Sequence, residues 1–447
     1  MKTILTPDQK AAFEQLHSFS TGQDHAGHAM AALEGFAGTG KTTLMAQLLH
    51  ELPAHLRVAV MAPTNKAVGV LQARLGEQTT TASVEFGSLH SFLGLRLKER
   101  EDGSQSCDQD GSATLHQYDL AIVDECSMVS EELFSSVLRS KRNCRVLFVG
   151  DPAQLPPVGD DGRDSPVFRM VNLKLRLNTV VRQAASNPII GASMVVRRAI
   201  EQGRRVCLQE LVDAFPVTQP CAIGVLPGGR QTIVDGLVHE FREGRQARAV
   251  AWRNDSVQAI NARCHAAIFP ASTAAFEPGE TVVAQSEFRT EYEPEKKQQR
   301  VFNSEECTID RISRASHPHY PDIACWRVEM LRDDGSALNH VYVAADERQI
   351  KHRLDSMWRE FRALKADGRQ YSKAKQVSAG AWALQKAFAP LRHTYAVTSH
   401  KSQGSTFDTV FMDWDDMMGQ RNDFEFNRMV YVAMTRASKF LAVVVSA

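Results

Sequence analysis

The chain has no long apolar run, no paired-cysteine motif and no excess of charge of either sign. Each absence narrows its possible roles. No stretch approaches the roughly 18 consecutive apolar residues of a membrane-spanning helix, so no membrane partner is expected. The eight cysteines, Cys107, Cys126, Cys144, Cys207, Cys221, Cys264, Cys307 and Cys325, are scattered without a C-x-x-C pair. That pattern reads as free thiols in a reducing compartment. Lys+Arg 52 equals Asp+Glu 52, so no global basic field advertises a polyanion, although a local groove is compatible with that balance. The opening run Met1-Lys2-Thr3-Ile4-Leu5-Thr6-Pro7-Asp8 lacks the apolar core of a signal peptide, and the expectation is a soluble cytoplasmic protein. No internal repeat is evident. With 447 residues, 43% of them hydrophobic, two to four domains are expected.

What is present is more specific. Gly35-Phe36-Ala37-Gly38-Thr39-Gly40-Lys41-Thr42 fits the phosphate-loop pattern G-x-x-x-x-G-K-[ST] at every fixed position. Glycines let successive backbone N–H groups point inward at phosphate oxygens. Lys41 suits the β- and γ-phosphates, and the Thr42 hydroxyl suits Mg²⁺. Residues 31–34 form a short buried strand before the loop. Residues 43–49 have helical spacing after it, which would aim a helix N-terminus at the phosphates. The cofactors expected are ATP and Mg²⁺.

Strand candidates at 56–62, 120–123 and 145–150 alternate with helical stretches, which predicts a parallel α/β sheet with its ligand site at the carboxyl ends of the strands. The pattern breaks at 95–118, where turn residues suggest an inserted β-hairpin or loop. A second alternating region starts near 181, with strands expected at 248–252, 393–398, 409–413 and 440–445. Between its halves, 279–343 reads as short strands with turns, a small barrel, and 346–388 as helix. Nine Lys/Arg against three acids in 348–375 fit either a nucleic-acid-facing arm or an ordinary solvated helix face.

Asp124-Glu125 follows the strand 120–123. A carboxylate at a strand end can hold Mg²⁺ through water, and its neighbour can polarise the attacking water, so Asp124 is assigned to Mg²⁺ and Glu125 to the general base. After the strand 145–150 comes Gly150-Asp151-Pro152-Ala153-Gln154-Leu155-Pro156-Pro157, in which Gln154 suits the γ-phosphate or the attacking water.

Together these segments resemble superfamily 1 helicases. Val397-Thr398-Ser399-His400-Lys401-Ser402-Gln403-Gly404-Ser405-Thr406 resembles motif V of that family, and Tyr431-Val432-Ala433-Met434-Thr435-Arg436-Ala437 its motif VI. The short chain and its two insertions look most like the Dda/RecD-like group of 5′→3′ DNA helicases. The resemblance implies two RecA-like P-loop NTPase motor domains. The first spans 1–180, with a hairpin insertion at about 95–118. The second combines 181–277 and 391–447. Residues 278–390 would be an inserted SH3-like barrel (about 279–345) with a helical tower (about 346–390). It further implies that Gln9 reads adenine, that Thr43 and Gly404 join Gly35, Gly38, Thr39, Gly40, Lys41 and Thr42 around the nucleotide, and that Arg182 and Arg436 reach the γ-phosphate from the second motor domain. Single-stranded DNA would contact Pro63, Thr64, Asn65, Ser88, His90 and Phe92 on one domain and Thr398, His400 and Lys401 on the other. The implied activity is ATP-driven 5′→3′ translocation with duplex separation, by a monomer acting on single-stranded and forked DNA in phage or bacterial replication, recombination or repair. A single-strand-binding or replication protein is a candidate partner. An RNA helicase, or an ATP-switched loading factor that does not unwind, stays open as an alternative.

Two features depart from that pattern. Residues 95–117 hold no Phe, Tyr or Trp, so the wedge that splits a duplex is Leu95, Leu97 or His116, or lies elsewhere. Cys307, His317, His319 and Cys325 match no standard zinc spacing.

Overall fold

The computed structural model describes the chain except residues 1–4, 25, 77–81, 100–104, 110, 158, 160–161, 182–187, 215–221, 294–296, 368–369 and 447. The chain divides into two compact units. One is built from Met1–Lys98, Gln105–Ile260 and Tyr395–Ala447, the other mainly from Asn261–Thr394.

Runs of small and β-branched residues buried on both faces are what a parallel sheet requires, and the first unit holds two such sheets. One has six strands in the order Ser83–Ser88, Arg57–Ala62, Leu120–Val123, Arg145–Gly150, Met30–Gly35 and Leu173–Leu177, every pair parallel. Alternation divides its side chains between two cores. Leu33, Val58, Val60, Ile122, Leu147 and Val149 pack with Leu16, Phe19, Leu44, Leu48 and Leu71 from helices on one face. Ala32, Ala59, Met61, Val123, Val146 and Phe148 pack with Leu89, Phe92, Phe134 and Val137 on the other. Each fully buried Leu, Val or Phe contributes about 1.5–3 kcal/mol.

The second sheet runs Ala396–Thr398, Ala247–Ala251, Phe407–Asp413, Ala437–Val445 and Ile223–Pro227, again all parallel. Its core takes Phe426, Met429, Val430 and Val432 from the helix Asp423–Thr435. Both sheets match the fold class read from the sequence. Strands Leu95–Glu99 and Gln105–Gln109 pair as a separate two-stranded ribbon.

The continuous strand expected at 393–398 is two strands. Leu391–His393 joins an antiparallel sheet and Ala396–Thr398 a parallel one. The break falls at Thr394, whose hydroxyl donates to the Thr281 carbonyl (3.0 Å), and Tyr395, whose ring packs edge-on against Phe241 (5.9 Å). Tertiary partners decide this break, and the local sequence, with β-formers on both sides, does not reveal it.

The second unit is a five-stranded antiparallel sheet in the order Val341–Ala344, Tyr320–Arg332, Glu306–His317, Thr281–Ala284 and Leu391–His393. Helices Glu347–Asp367 and Tyr371–Ala387 follow, with Trp358 and Trp382 packed edge-on at 5.2 Å. On these helices Lys351, Arg359, Arg362, Lys373 and Lys375 are exposed, whereas Arg348 pairs with Asp346 and Arg353 with Asp322.

Phe148 is 0% exposed and its ring lies 5.8 Å from that of Phe134. Phe148→Ala is expected to destabilise the first unit by about 3–5 kcal/mol, read from the denaturant midpoint.

Candidate nucleotide site and nucleic-acid face

Three strand ends of the first sheet deliver the nucleotide site. Gly35 ends the strand Met30–Gly35, and Lys41 begins the helix Lys41–Glu51, with Thr42 half-buried and Thr43 exposed in its first turn. Gly38 and Gly40 both take left-handed backbone (φ 78° and 80°). Gly40 also needs the space, because a Cβ there would stand 2.4 Å from Gln9 Nε2. The Lys41 ammonium donates to the carbonyls of Gly35 (2.6 Å) and Phe36 (3.1 Å), and Thr39 Oγ1 donates to Phe36 O (2.9 Å). The loop therefore keeps its curled form through its own polar groups.

Gln9 is 3% exposed. Its amide donates to Thr39 O (2.8 Å) and accepts from the Thr6 backbone N–H (2.9 Å), so it ties the first helix to the loop. The neighbouring segment joins in, with the Val181 N–H donating to Gly38 O (3.0 Å). Arg182 lies outside the described residues.

Asp124 follows Leu120–Val123, and its backbone N–H donates to Met61 O (2.8 Å). Burial pushes its carboxyl up to about 7, and the Glu125 charge adds in the same direction. Glu125 takes left-handed backbone (φ 52°, ψ 42°), a conformation that costs a non-glycine residue about 1–3 kcal/mol and clusters at functional sites. Its Oε1 lies 3.9 Å from where a Cβ on Gly404 would stand. Cys126 is buried, and burial with the adjacent Asp124 and Glu125 charges pushes its thiol well up, so it stays protonated.

After Arg145–Gly150 the buried Asp151 accepts from the Ala153 N–H through Oδ1 (2.9 Å) and from the Tyr431 hydroxyl through Oδ2 (2.7 Å). Gln154 is 6% exposed, and its Oε1 is buried without a hydrogen-bond partner. An orphaned amide oxygen needs a donor, and the O–H of a water completes it.

The far end of the chain closes over this region. The Tyr431 hydroxyl also accepts from the Ala37 N–H of the phosphate loop (3.1 Å). Arg428 donates to Gln154 O (2.5 Å) and pairs with Asp164 (2.7 Å). Gln403 donates to Leu155 O (3.2 Å). Arg436 is 7% exposed and donates to Val432 O, Ser405 O (3.0 Å) and Thr435 Oγ1 (3.2 Å). Burial pulls its pKa down, while the charges of Glu125 and Asp151 act to keep it charged. Gly404 (φ 72°) abuts Ala67 of the helix Asn65–Leu75. Arg197 lies over the Phe36 ring at 3.1 Å. Tyr431, Arg428 and Arg197 are additions to the sequence reading. The first two stand in or beside the motif VI run, whose spacing gives no hint that they reach the phosphate loop and Gln154. Nothing local marks Arg197.

The proposed DNA contacts are placed as loops and caps. Pro63 follows Arg57–Ala62, and Thr64 caps Asn65–Leu75 by accepting from the Ala67 N–H (3.2 Å). Ser88 caps the short helix Leu89–Phe92, and His90 hydrogen-bonds the backbone of Pro63, with burial lowering its pKa. Phe92 is 4% exposed and packs edge-on against Tyr118 (5.4 Å), so its ring supports this corner from within the core. Thr398 caps Ser399–Ser402 (3.3 Å to the Lys401 N–H), His400 is half-buried with a lowered pKa, and Lys401 is exposed. Of the wedge candidates, Leu95 packs against the core and His116 is exposed. The side chain of Leu97 lies outside the described residues.

The AAA domain profile matches residues 4–209, and the UvrD-like helicase C-terminal domain matches 393–444. The chain is 26% identical over 431 residues to the ATP-dependent DNA helicase dda of phage T4, covering 91% of this chain and 92% of that one. Together these matches support a superfamily 1 helicase related to Dda and RecD. The chain is also 38% identical over 194 residues to the ATP-dependent RecD2 DNA helicase of Deinococcus radiodurans, although the match covers only 42% of this chain and 23% of that protein. Among solved structures, the Bacteroides Pif1 helicase in complex with ADP-AlF3 and ssDNA superposes with a TM-score of 0.51 at 15% identity, over 99% of this chain and 92% of that one. That likeness establishes the fold, with its two parallel α/β sheets.

Two predictions follow from this geometry. The folded pKa of Asp124 lies above its ordinary value of 3.8, so the native state holds an extra proton between about pH 4 and 7. Stability from this group therefore falls as pH rises through that window, and under the assignment of Asp124 to Mg²⁺ the ion would gain affinity over the same range. The Mg²⁺ concentration that half-saturates ATP hydrolysis is expected to rise about tenfold from pH 8 to pH 6. Tyr431→Phe strands the Ala37 N–H and an Asp151 oxygen. A loss of about 1–3 kcal/mol in denaturant unfolding is expected, with a raised KM for ATP.

Proposed function

We propose that this chain is an ATP-driven motor that moves 5′→3′ on single-stranded DNA and separates duplex. The observation that carries the reading is the bridging hydroxyl of Tyr431, which joins the phosphate loop and the Asp151–Gln154 turn to the helix ending at Arg436. Nucleotide chemistry and the far end of the chain are thus coupled through one group.

In this reading the Gly35–Thr42 loop cradles the phosphates and Lys41 leaves the Gly35 and Phe36 carbonyls for them. Thr42 and Asp124 would hold Mg²⁺, which neutralises charge on the phosphates when bound. Glu125 takes the proton of the attacking water, and Gln154 Oε1 orients it. Arg436, together with Arg182, stabilises the charge that develops in the transition state, a role worth about 10³-fold or more. Gln9 reads adenine once its amide leaves Thr39 and Thr6. The two parallel sheets act as the motor domains, and closing and reopening around ATP ratchets DNA past Thr64, Ser88 and His90 on one side and Thr398, His400 and Lys401 on the other. The antiparallel unit serves as the inserted domain, with its helices as the tower.

The test uses two duplexes, one with a 5′ and one with a 3′ single-stranded tail, plus ATP and Mg²⁺. Displacement from the 5′-tailed substrate alone is expected. Lys41→Ala and Glu125→Gln are each expected to lower displacement at least about 10³-fold while leaving single-strand binding within a few-fold. Displacement from the 3′ tail would overturn the polarity. Unimpaired displacement by Glu125→Gln would overturn the mechanism. Stimulation of ATP hydrolysis by RNA and not by DNA would reassign the substrate.

A further inference from the structure

Outside the motor chemistry, three side chains converge where the segment Asn261–Thr394 begins and ends. His265 lies on the helix Asn254–Ile268, Glu280 just before the strand Thr281–Ala284, and His393 at the end of Leu391–His393. His265 Nδ1 is 3.0 and 3.1 Å from the two Glu280 oxygens, and His393 Nδ1 is 3.2 Å from Oε1. All three ligand atoms lie within 4.8 Å of one another. Two donors each about 2.1 Å from one ion stand about 3.0–3.4 Å apart at angles between 90° and tetrahedral, and the two His–Glu separations fall in that range.

The surroundings suit an ion. Glu280 is 0% exposed, and a carboxylate buried between two imidazoles needs positive charge beside it. Glu277 N–H donates to Glu280 Oε2 (2.5 Å), which orients the carboxylate, and the His265 ring donates to the Ala274 backbone. Such outer hydrogen bonds fix ligand tautomer and angle. Phe269 and Phe276 flank the imidazoles at 5.5 and 4.8 Å and shield one side. The histidine side chains keep 15% and 17% exposure, which leaves an approach for an ion and for a water as further ligand. By contrast Cys307 and Cys325 cannot share a metal. Cys307 pairs with Arg332 and Cys325 with Ala315, on distant rungs of one ladder.

We propose that His265, Glu280 and His393 bind one divalent transition-metal ion, zinc by the character of the donors, as a structural staple on the strands that open and close the inserted sheet. Val282 and His393 are already register partners, so the ion would lock the start of one strand to the end of the other. Binding displaces any proton shared between the imidazoles and the carboxylate.

The full chain, stripped with a chelator, is titrated with Zn²⁺ against a chromophoric competitor. One ion per chain is expected, with a dissociation constant below about 1 μM, together with a rise in melting temperature. Glu280→Gln and His393→Gln are each expected to weaken binding about 100-fold or more, and Cys307→Ser to leave it unchanged. Because Glu280 is buried, the unaltered chain is also loaded with Co²⁺. Weak d–d bands without a thiolate charge-transfer band support the His/Glu set. No stoichiometric uptake, a thiolate band, or undiminished binding in both variants would overturn the proposal.

Discussion

The hydroxyl of Tyr431 is the contact on which the arrangement of the first unit turns. It accepts from the backbone of the phosphate loop and donates to the buried Asp151, so one phenol ties together segments nearly 400 positions apart in sequence. The bond to Asp151 is buried and the bond from Ala37 part-buried, and at such depth a missing partner costs more than a made bond gains. The geometry of the loop, the turn that carries Gln154 and the helix ending at Arg436 are therefore set jointly. Arg428 and Gln403 add donors to the backbone carbonyls just after Asp151, so the same turn is held from three directions.

Around that lock the electrostatics are poised. Asp124 and Glu125 are adjacent carboxylates, one desolvated enough to favour its proton, the other held in left-handed backbone. Arg436 is buried, and among the described residues it donates to carbonyls and a hydroxyl. A site with excess negative charge on one side and a carbonyl-bound arginine on the other gains most from a group that brings both a cation and phosphates.

Much of this was legible in the sequence, for stateable reasons. The strands 120–123 and 145–150 are short apolar runs with turn residues after them, and their bounds agree with the structure. The loop at 35–42 is a pattern whose glycines have conformational work to do, and its neighbours form the strand and helix expected. What stayed hidden depends on partners far along the chain. The split at Thr394-Tyr395 is decided by Thr281 and Phe241. Phe92 is expected from the resemblance to contact DNA, yet its ring packs against Tyr118 in the core. Gln9 is implied by the resemblance to read adenine, and its observed bonds also make it a strut for the loop. Tyr431 and Arg428 lie in a recognisable run, but period and spacing give no hint of their reach. The triad of His265, Glu280 and His393 spans segments separated by an entire sheet and follows no ligand spacing.

The rims of the two parallel sheets have a consequence of their own. A chain with 52 basic and 52 acidic residues has little net charge to hold copies apart, a condition that favours self-association. Unpaired sheet rims are where such association starts. Here one outer strand, Leu173–Leu177, carries Lys174 and Arg176, and another, Ala396–Thr398, is only 3 residues long. A third, Ile223–Pro227, ends in a residue with no N–H to offer a neighbour. These three rims thus discourage strand-to-strand stacking where overall charge does not.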